Sequence, residues 1–416
     1  MEYLYILKQV LVYVLTAYWC YQTVVSLCSL VKLKDKPYLT NKNHKFMAII
    51  PAHNEEAVVA NLIESLKNQT YDKNLYDIYV IADNCTDNTA EVARNAGAIV
   101  FERFDPAHKT KGYALQWFLK QKIEENADYD AFFVFDADNI VDKDFIVNMN
   151  KKLCQGEDVV QGYRDIKNPT DNWITAGYAL FYWSMHRLYH LARYNIGLSP
   201  LLNGTGFMVK FDVVKPNGWE TETLTEDIEF TADCIANGVT IGYCERAEFY
   251  DEQPTRLSVS WHQRMRWVKG YFQVYRKYGR QLLSKIGKKG GFSCFDMLMS
   301  NLPAFILTMV ATFAGLTLTI LALLTAQDFT SALLCVCKFT VNPSAAMLVL
   351  GIYTTLTEWK HIHMAWYKKI GYMFTFPIYM LTYIPIAFVA MFKKVEWKPI
   401  AHGSKVAKVP VRRIAS

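Results

Sequence analysis

The chain has 416 residues, of which 52% are hydrophobic, and its mean hydropathy is +0.03. These values are too apolar for an ordinary soluble protein and too polar for a pure bundle of membrane helices, so they predict a soluble domain joined to membrane spans. The net charge of +6 does not favour a nucleic-acid partner, and nine scattered cysteines, an odd number, imply no disulfide framework.

The first predicted element is a membrane anchor. Residues 3–31 are apolar over a longer stretch than the core of a signal peptide, and they carry no small-residue cleavage site. Lys32, Lys34 and Lys36 follow, which predicts that the C-terminal end of the anchor faces the cytoplasm. We therefore expect residues 1–36 to form an N-terminal transmembrane anchor.

Residues 37–290 are predicted to form a cytoplasmic α/β domain. Strand-like stretches ("KFMAIIPAHNEE", "YDIYVIADNCTDNT", "AIVFER" and "YDAFFVFDADN") alternate with helical ones such as "YALQWFLKQKIEE". Apolar strands that alternate with helices predict a parallel sheet covered on both faces, with ligands at the carboxyl ends of the strands. Polar side chains stand at these ends: His53, Asn54, Glu55, Asp83, Asp136 and Asp138.

The last strand end carries two carboxylates. On an extended segment Asp136 and Asp138 would point to the same side, about 6–7 Å apart between Cα atoms. At an effective dielectric constant of about 20 the two charges would repel by about 3 kcal/mol, which a divalent cation with oxygen ligands would offset. The simpler interpretation is that Asp138 caps the following helix while Asp136 is hydrated at the surface.

Four further motifs follow in order, namely "QGYRD", "NGTG", "TLTEDIEF" and "WHQRMRW". In the third, Glu226 and Asp227 could simply open a helix, where carboxylates stabilise free N–H groups. In the fourth, a helix would bring Gln263, Arg266 and Trp267 together at i, i+3 and i+4 spacing. That helix could equally lie at a membrane surface, with its Trp and Arg side chains at the lipid boundary.

Three more apolar stretches follow this domain: residues 301–326, 331–357 and 370–392. One span before the domain and three after it would put the basic segment "KKVEWK" outside, against the usual charge distribution. Either 331–357, which contains Lys338, or 365–392 is therefore expected to be re-entrant or interfacial. Residues 291–396 are predicted to be a C-terminal transmembrane region and residues 397–416 a basic cytoplasmic tail.

Together these motifs resemble those of the membrane-bound family 2 glycosyltransferases, which include cellulose, hyaluronan and poly-N-acetylglucosamine synthases. That family has an aspartate, a D-x-D pair, a (T/E)-E-D motif and a Q-x-x-R-W motif in this order, and the resemblance covers roughly residues 45–280. It implies a GT-A fold, a Rossmann-like sheet that binds a UDP-sugar, with flanking transmembrane and interfacial helices. It also implies Mg²⁺ or Mn²⁺ as cofactor.

The resemblance implies a role for each matching residue. Asp227 is expected to be the general base, and Asp138 the metal ligand. The residues expected to bind the nucleotide sugar are Pro51, Ala52, His53, Glu55, Asp83, Lys111, Gly112 and Asp136. Those expected to bind the acceptor or the diphosphate are Asn203, Gly204, Thr205, Glu226, Gln263, Arg266 and Trp267.

The expected reaction is an inverting transfer that forms a β-linkage and extends a polysaccharide at the membrane. The alternative is the transfer of one sugar to a lipid acceptor, as in the related ceramide glucosyltransferases. Few spans follow the catalytic domain, so a homo-oligomer or an accessory export protein would have to complete a polymer channel. The aromatic-rich residues 173–197 could border either acceptor, or pack as an amphipathic helix at the membrane surface.

The expected location is the cell membrane, as a multi-pass protein whose catalytic domain is cytoplasmic. A short chain without long insertions is typical of bacterial members of this family. A membrane protein that senses nucleotides without turning them over is the non-enzymatic alternative. The motifs do not specify the donor sugar or the linkage position, because family members with different donors share them.

Overall fold

The computed structural model describes residues 2–31, 36–288, 290–300 and 329–396, together with isolated positions between 306 and 324. Most of the expected span 301–326 and the whole of the expected tail 397–416 lie outside the described residues. The same holds for Lys32 and Lys34, two of the lysines on which the predicted orientation of the anchor rests.

Eight strands form one sheet in the order β3-β2-β1-β4-β7-β6-β8-β5. Their bounds are β1 (Phe46–Ala52), β2 (Tyr76–Asp83), β3 (Ile99–Arg103), β4 (Ala131–Val134), β5 (Ile140–Val141), β6 (Val159–Ile166), β7 (Phe207–Lys210) and β8 (Ile241–Asp251). The first four strands are parallel, as predicted, but β7 runs antiparallel to β4 and β6, and β5 runs antiparallel to β8. The four strands predicted from the sequence are therefore parallel as expected, while the sheet as a whole is mixed because β7 and β5 join it antiparallel.

Helices surround this sheet and continue beyond it. Their bounds are α1 (Glu2–Leu27), α2 (Val59–Lys67), α3 (Thr89–Asn95), α4 (Lys111–Glu124), α5 (Phe145–Cys154), α6 (Trp173–Ser184), α7 (Ala192–Asn195), α8 (Phe211–Val214), α9 (Glu226–Ala236), α10 (Leu257–Lys285), α11 (Gly291–Ser300), α12 (Phe329–Thr357), α13 (Trp366–Leu381) and α14 (Tyr383–Phe392). A π-helical segment, Met185–Leu191, joins α6 to α7.

Strand β1 shows why the central strands are apolar throughout. Phe46, Ala48 and Ile50 lie in one core cluster with residues of α2 and α5, whereas Met47 and Ile49 lie in another with residues of α4 and α9. Successive side chains of a strand point to opposite faces, so a strand covered on both sides needs an apolar residue at every position. Helices on both faces leave the ends of the strands as the open part of the domain.

Helix α10 connects the sheet domain to the C-terminal helices. Its residues Met265 and Val268 pack with Ile386, Ala387 and Ala390 of α14. Helix α6 packs similarly with α13 in a cluster rich in tyrosine and tryptophan. The motif-bearing helix α10 is thus fixed between the domain and the apolar end of the chain.

Among the described residues, one helical segment, Trp366–Phe392, is long and apolar enough to cross a membrane. It contains α13 and α14 and includes the expected apolar stretch 370–392. Helices α1 and α12 cover most of the expected stretches 3–31 and 331–357. Whether these two helices cross a membrane stays a prediction.

Candidate active site

A cavity of about 420 Å³ lies at the carboxyl ends of β1, β2 and β4, and extends to α10, α13 and α14. Of the site residues predicted from the sequence, all but Gly112 and Thr205 line it. The cavity wall also contains residues that were not predicted individually as site residues: Lys109, Arg164, Phe181, Tyr182, Asp251, Glu252, Tyr271, Met380 and Tyr383. Of these, Arg164 belongs to the "QGYRD" motif, and Phe181 and Tyr182 belong to the aromatic-rich residues 173–197. The cavity therefore joins a charged end near the sheet to an aromatic end near the C-terminal helices.

The chain turns sharply after β1 and β2. Asn54 and Asn84 have positive φ angles of 57° and 51°, a conformation that asparagine adopts more readily than most residues. This turn brings the His53 Nδ1 atom to 2.7 Å from the carbonyl oxygen of Asp83, which ties the two strand ends together. Pro51 and Ala52, at the end of β1, line the cavity beside them.

Asp83 is buried at the end of β2 and has a partner on the next strand. The Nη1 atom of Arg103, the last residue of β3, donates to Asp83 Oδ1 at 2.5 Å, and Asn84 Nδ2 donates to the same oxygen at 3.0 Å. Burial raises the pKa of Asp83, although the hydrogen bond and charge of Arg103 lower it. Arg103 was not predicted from the sequence. It could have been, because it ends β3, the strand parallel to β2, and so lies at the same edge of the sheet as Asp83.

The segment that contains Asp136 and Asp138 forms a turn. The N–H of Asn139 donates to the Asp136 carbonyl at 3.0 Å, whereas the two aspartates were expected from the sequence to lie on an extended segment. Asp138 is 4% exposed, and its Oδ2 atom accepts the N–H of Glu252 at 3.2 Å. The next helix, α5, has Asp144 at its N-cap position, so the alternative in which Asp138 caps that helix was also wrong.

A buried polar network supports this turn from below. Thr205 Oγ1 accepts the N–H of Asp136 at 2.9 Å and donates to Asn139 Oδ1. Asn139 Nδ2 in turn donates to Asp251 Oδ1 at 2.9 Å, and Asp251 forms a buried ion pair with Arg164. Thr205 therefore lies beneath the D-x-D turn instead of lining the cavity, because its hydroxyl is used to hold the turn.

Lys111 connects three motifs at the start of α4. Its ammonium donates to the Gly204 carbonyl at 2.6 Å, pairs with the Asp136 carboxylate, and lies 4.0 Å from Glu226 Oε1. Burial lowers the pKa of Lys111, but the neighbouring carboxylates of Asp136 and Glu226 outweigh burial and raise it above its usual value. The Lys111 side chain therefore stays protonated and contributes a positive charge to the cavity wall.

Gly112 has a packing role in the structure. A Cβ atom added there would lie 2.7 Å from Thr221 Oγ1 and 3.3 Å from Glu226 Cβ. Only glycine lets the first turn of α4 approach the loop before α9 so closely. This contact accounts for its absence from the cavity wall.

Asp227 lies in the first turn of α9, which begins at Glu226 as the helix-opening interpretation predicted. Burial is the main cause that raises its pKa, and the Glu226 carboxylate adds to it. The N–H of Ile228 and the charges of Lys111 and Arg266 oppose this rise, and the pKa of Asp227 is about 7. A carboxyl group with this pKa can accept a proton near neutral pH.

The residues of the Q-x-x-R-W motif line the cavity from one face of α10. Gln263 Oε1 accepts the hydroxyl of Tyr178 at 2.6 Å, and the Trp267 ring packs edge-on against Tyr178 with centroids 6.0 Å apart. Arg266 lies close enough to Asp227 to lower its pKa. The predicted spacing of these side chains on a helix is therefore confirmed, and they line the same cavity as Asp227.

The aromatic end of the cavity is formed by Phe181 and Tyr182 on α6, Tyr271 on α10, and Met380 and Tyr383 near the junction of α13 and α14. Most of α6 is buried, so the aromatic segment predicted around it serves mainly for packing. Two of its side chains nevertheless border the cavity, where they offer apolar and ring surface to a bound molecule.

The charged end of the cavity contains two carboxylates that could contribute to a divalent-cation site. In the part of the chain that the structure describes, no three His, Cys, Asp or Glu side chains come together as a metal site. Asp136 and Asp138 offer hard carboxylate oxygens at the cavity wall. Mg²⁺ is commonly bound by one or two carboxylates plus substrate phosphates, and the residues present fit that arrangement.

Comparison with known proteins gives consistent results. Residues 44–270 match a family model described as "Glycosyltransferase like family 2". A β-monoglucosyldiacylglycerol synthase from Nostoc sp. is 31% identical over 271 residues, 63% of this chain and 56% of the relative. A poly-β-1,6-N-acetyl-D-glucosamine synthase from Staphylococcus aureus is 27% identical over 235 residues, 54% of this chain and 54% of the relative. The chain thus spans just over half the length of these relatives.

A solved structure shares the fold. The mannosyltransferase PcManGT from Pyrobaculum calidifontis, determined in complex with GDP-Man and Mn²⁺, aligns with a TM-score of 0.57 and 15% identity. The alignment covers 93% of this chain and 99% of that protein. At this identity the likeness concerns the fold alone.

Proposed function

The chain belongs to the glycosyltransferase like family 2, and on that premise we propose that it is an inverting glycosyltransferase. It transfers a sugar from a UDP-sugar to an acceptor hydroxyl and forms a β-linkage. The observation that supports this proposal most directly is one cavity whose wall contains Asp138 and Lys111 together with Asp227 and Arg266. Side chains suited to binding a metal-bound diphosphate thus line the same cavity as a carboxylate suited to act as a base.

The donor is proposed to lie at the sheet end of the cavity. Pro51, Ala52, His53, Glu55 and Asp83 would surround the nucleoside, as they line the wall at the ends of β1 and β2. Asp83, held by Arg103, would accept an N–H group of the base ring. Lys111 and Arg266 would bind the diphosphate, whose negative charge grows as the bond to the sugar breaks.

We propose that Asp138, with Asp136 beside it, would hold a Mg²⁺ or Mn²⁺ ion. When bound, this cation would offset the negative charge of the leaving diphosphate. Asp136 is already paired with Lys111, so Asp138 is the better candidate for a direct ligand. The network of Thr205, Asn139 and Asp251 would keep the turn fixed.

Asp227 is the proposed general base. An acceptor hydroxyl would attack the anomeric carbon from the face opposite the diphosphate, while Asp227 takes its proton. The anomeric carbon then carries positive charge, as in glycoside hydrolysis. A single displacement inverts the anomeric centre, so an α-linked donor yields a β-linkage.

The acceptor is proposed to be a membrane lipid. The aromatic end of the cavity includes Met380 and Tyr383, which belong to the apolar segment Trp366–Phe392. A lipid hydroxyl could reach Asp227 from that side while its acyl chains stay with the apolar helices. Similarity to a glucosyldiacylglycerol synthase supports this acceptor, and similarity to a poly-β-1,6-N-acetyl-D-glucosamine synthase supports polysaccharide extension as the second candidate.

We further propose a cell-membrane location with the catalytic domain, residues 37–290, on the cytoplasmic side. Residues 1–36 and 291–396 would form the flanking membrane regions, and residues 397–416 the basic tail. The apolar segment Trp366–Phe392 supports one crossing, and further crossings remain part of the proposal. A homo-oligomer or an export partner is required only by the polysaccharide candidate.

The test is incubation of the purified, detergent-solubilised protein with a panel of labelled UDP- and GDP-sugars and two acceptors, diacylglycerol vesicles and short β-linked oligosaccharides. Products are separated by thin-layer chromatography and sized by mass spectrometry. One glycolipid with a single added β-sugar is the expected result. A ladder of polymer lengths would instead favour polysaccharide extension, and binding of nucleotide without turnover of any donor would favour the non-enzymatic alternative.

A further inference from the structure

Beyond the Q-x-x-R-W motif, helix α10 contacts the loop that leads into the catalytic helix α9. This loop comprises residues 222–225. Gly270, Gln273 and Lys277 follow Arg266 and Trp267 on the same uninterrupted helix, at spacings that keep them near one face. Gly270 and Gln273 contact the loop directly, and Lys277 contacts Glu229, a side chain that is hydrogen-bonded to the loop.

Glu229 is the side chain that holds the first half of the loop. It is fully buried on α9, and one of its oxygens accepts the N–H groups of Glu222 at 2.9 Å and Thr223 at 2.7 Å. Its other oxygen accepts the Lys277 ammonium at 2.7 Å. Hydrogen bonds to a buried carboxylate are strong, so Lys277 and Glu229 together restrain the loop.

The second half of the loop is held by α10 directly. Gln273 Oε1 accepts the N–H of Leu224 at 3.0 Å. At Gly270 an added Cβ atom would lie 2.3 Å from Thr225 Oγ1, so the helix backbone touches Thr225 itself. Each residue from 222 to 225 therefore contacts either Glu229, which Lys277 of α10 holds, or α10 itself.

Thr225 is the N-cap residue of α9, and Asp227 lies two residues further on. We propose that Gly270, Gln273 and Lys277, acting with Glu229, form a clamp that positions the Asp227 carboxylate relative to Arg266 and Trp267. The clamp residues are positioning residues and do not touch substrate. This inference rests on the proposed function, because it assigns to the clamp the alignment of the proposed base.

The clamp connects the side chain proposed to bind the leaving diphosphate with the side chain proposed to deprotonate the acceptor. Arg266 is proposed to bind the diphosphate and Asp227 to accept the acceptor proton, and the distance between them must match the reacting atoms. Arg266 is part of α10, and Asp227 follows the loop that α10 holds. The clamp would therefore keep the distance between Arg266 and Asp227 constant. A misplacement of about 1 Å can cost about 10²-fold in rate.

The test compares Q273M and K277M with a matched control, R276M, in the full-length protein. Arg276 is an exposed cation on the same helix, next to Lys277. We expect Q273M and K277M to lower kcat about tenfold or more, with the donor KM within about twofold, since donor-side residues are unchanged. Q273E, which keeps an accepting oxygen, and K277R, which keeps the charge, should each recover most of the lost kcat.

A second measurement reports on the loop without relying on turnover. Amide hydrogen exchange at residues 222–225 should become faster in Q273M and K277M than in R276M, at melting temperatures close to that of the unchanged protein. If exchange and kcat both stay at control values, the clamp is overturned. A lower kcat accompanied by a higher donor KM and a lower melting temperature would also overturn it, since this combination indicates general destabilisation. Absence of turnover in the unchanged protein would refute the proposed function, while exchange would still decide on the clamp.

Discussion

At the scale of single residues, Asp227 is governed by opposing neighbours. Burial and the Glu226 carboxylate favour its neutral form, whereas Lys111 and Arg266 favour its charged form, and its pKa is about 7. Only the ionised carboxylate can take a proton, and a raised pKa keeps it protonated in mild acid. We therefore expect kcat to rise with pH up to about 7 and then level off. A profile of kcat at saturating donor and constant ionic strength checks this, and a flat profile from pH 5.5 to pH 8 would contradict it.

Replacing the proposed base, Asp227, gives the sharpest residue-level test. We expect Asp227→Asn to lower kcat by about 10²–10⁴ while leaving nucleotide affinity nearly unchanged, because the amide keeps the shape but accepts no proton. Asp233→Asn on the same helix is the matched control; Asp233 accepts a hydrogen bond from Asn237 and does not line the cavity. Steady-state kinetics and calorimetry with UDP separate the two effects. Turnover that survives Asp227→Asn at an unchanged rate would exclude this residue as the base.

The proposed metal ligand leads to a third expectation. Excess chelator should abolish transfer, and Mg²⁺ or Mn²⁺ should restore it, because the diphosphate leaves as an anion. Asp138→Asn should raise the cation concentration needed for half-maximal activity. Asp144→Asn, which removes a carboxylate at the start of α5 outside the cavity, should leave that requirement unchanged. Full activity in excess chelator would refute the metal assignment.

At the scale of elements, close packing of helices shapes the aromatic end of the cavity. An added Cβ atom at Gly177 of α6 would lie 2.3 Å from the Tyr379 ring of α13, so Gly177→Ala must push the two helices apart. Overpacking of this kind costs about 1–3 kcal/mol of unfolding free energy. At Gly371 of α13 nothing lies within 4 Å, and Gly371→Ala should be neutral or slightly stabilising. Thermal unfolding in detergent compares the two; equal midpoints would contradict the packing argument.

At the scale of the whole molecule, hydrogen bonds to one buried ion pair, Arg193–Asp296, join the N-terminal helix to the rest of the protein. Arg193 donates to Asp296 at 2.8 Å and to Gln22 of α1 at 3.0 Å, and the Tyr21 hydroxyl donates to Asp296 at 2.7 Å. One carboxylate thus holds together α1, α7 and α11. It does so at a position where both charges of the pair are almost completely buried.

We expect Asp296→Ala to lower the unfolding free energy by about 3–5 kcal/mol, because it leaves the Arg193 guanidinium buried without its counter-charge. The control is Asp212→Ala, which breaks the exposed Asp212–Lys215 pair and should cost no more than about 1 kcal/mol. Denaturant titration in detergent gives both values. Similar losses for the two variants would contradict the expectation that burial makes the Arg193–Asp296 pair the more costly one to break.

The sequence was informative wherever a local pattern led to a shared location. Parallel strands end at the same edge of a sheet, so polar residues after β1, β2 and β4 could be grouped from the sequence, and Asp83 and Asp138 do line one cavity. Helical spacing likewise brought Gln263, Arg266 and Trp267 together correctly. The roles assigned to these residues stay predictions that the experiments above address.

The sequence was not informative where a partner is distant in the chain. Arg103 lies 20 residues after Asp83, Asp251 lies 87 after Arg164, and Lys277 lies 48 after Glu229. Sequence periodicity does not predict such pairs, because they form only when separate strands and helices pack together. For the same reason, the sequence did not show that the D-x-D segment forms a turn or that the Thr205 hydroxyl bonds to Asp136 and Asn139 within it.

The amino-acid sequence by itself determined the parallel half of the sheet, the helical presentation of Q-x-x-R-W and the family to which the chain belongs, because these depend on residue order and local periodicity. Only the tertiary structure decided that β7 enters the sheet antiparallel, that Asp136 is paired with Lys111, and that α10 restrains the loop before Asp227. These features depend on which surfaces meet after folding. Hydrogen bonds and close contacts between distant segments select one such arrangement.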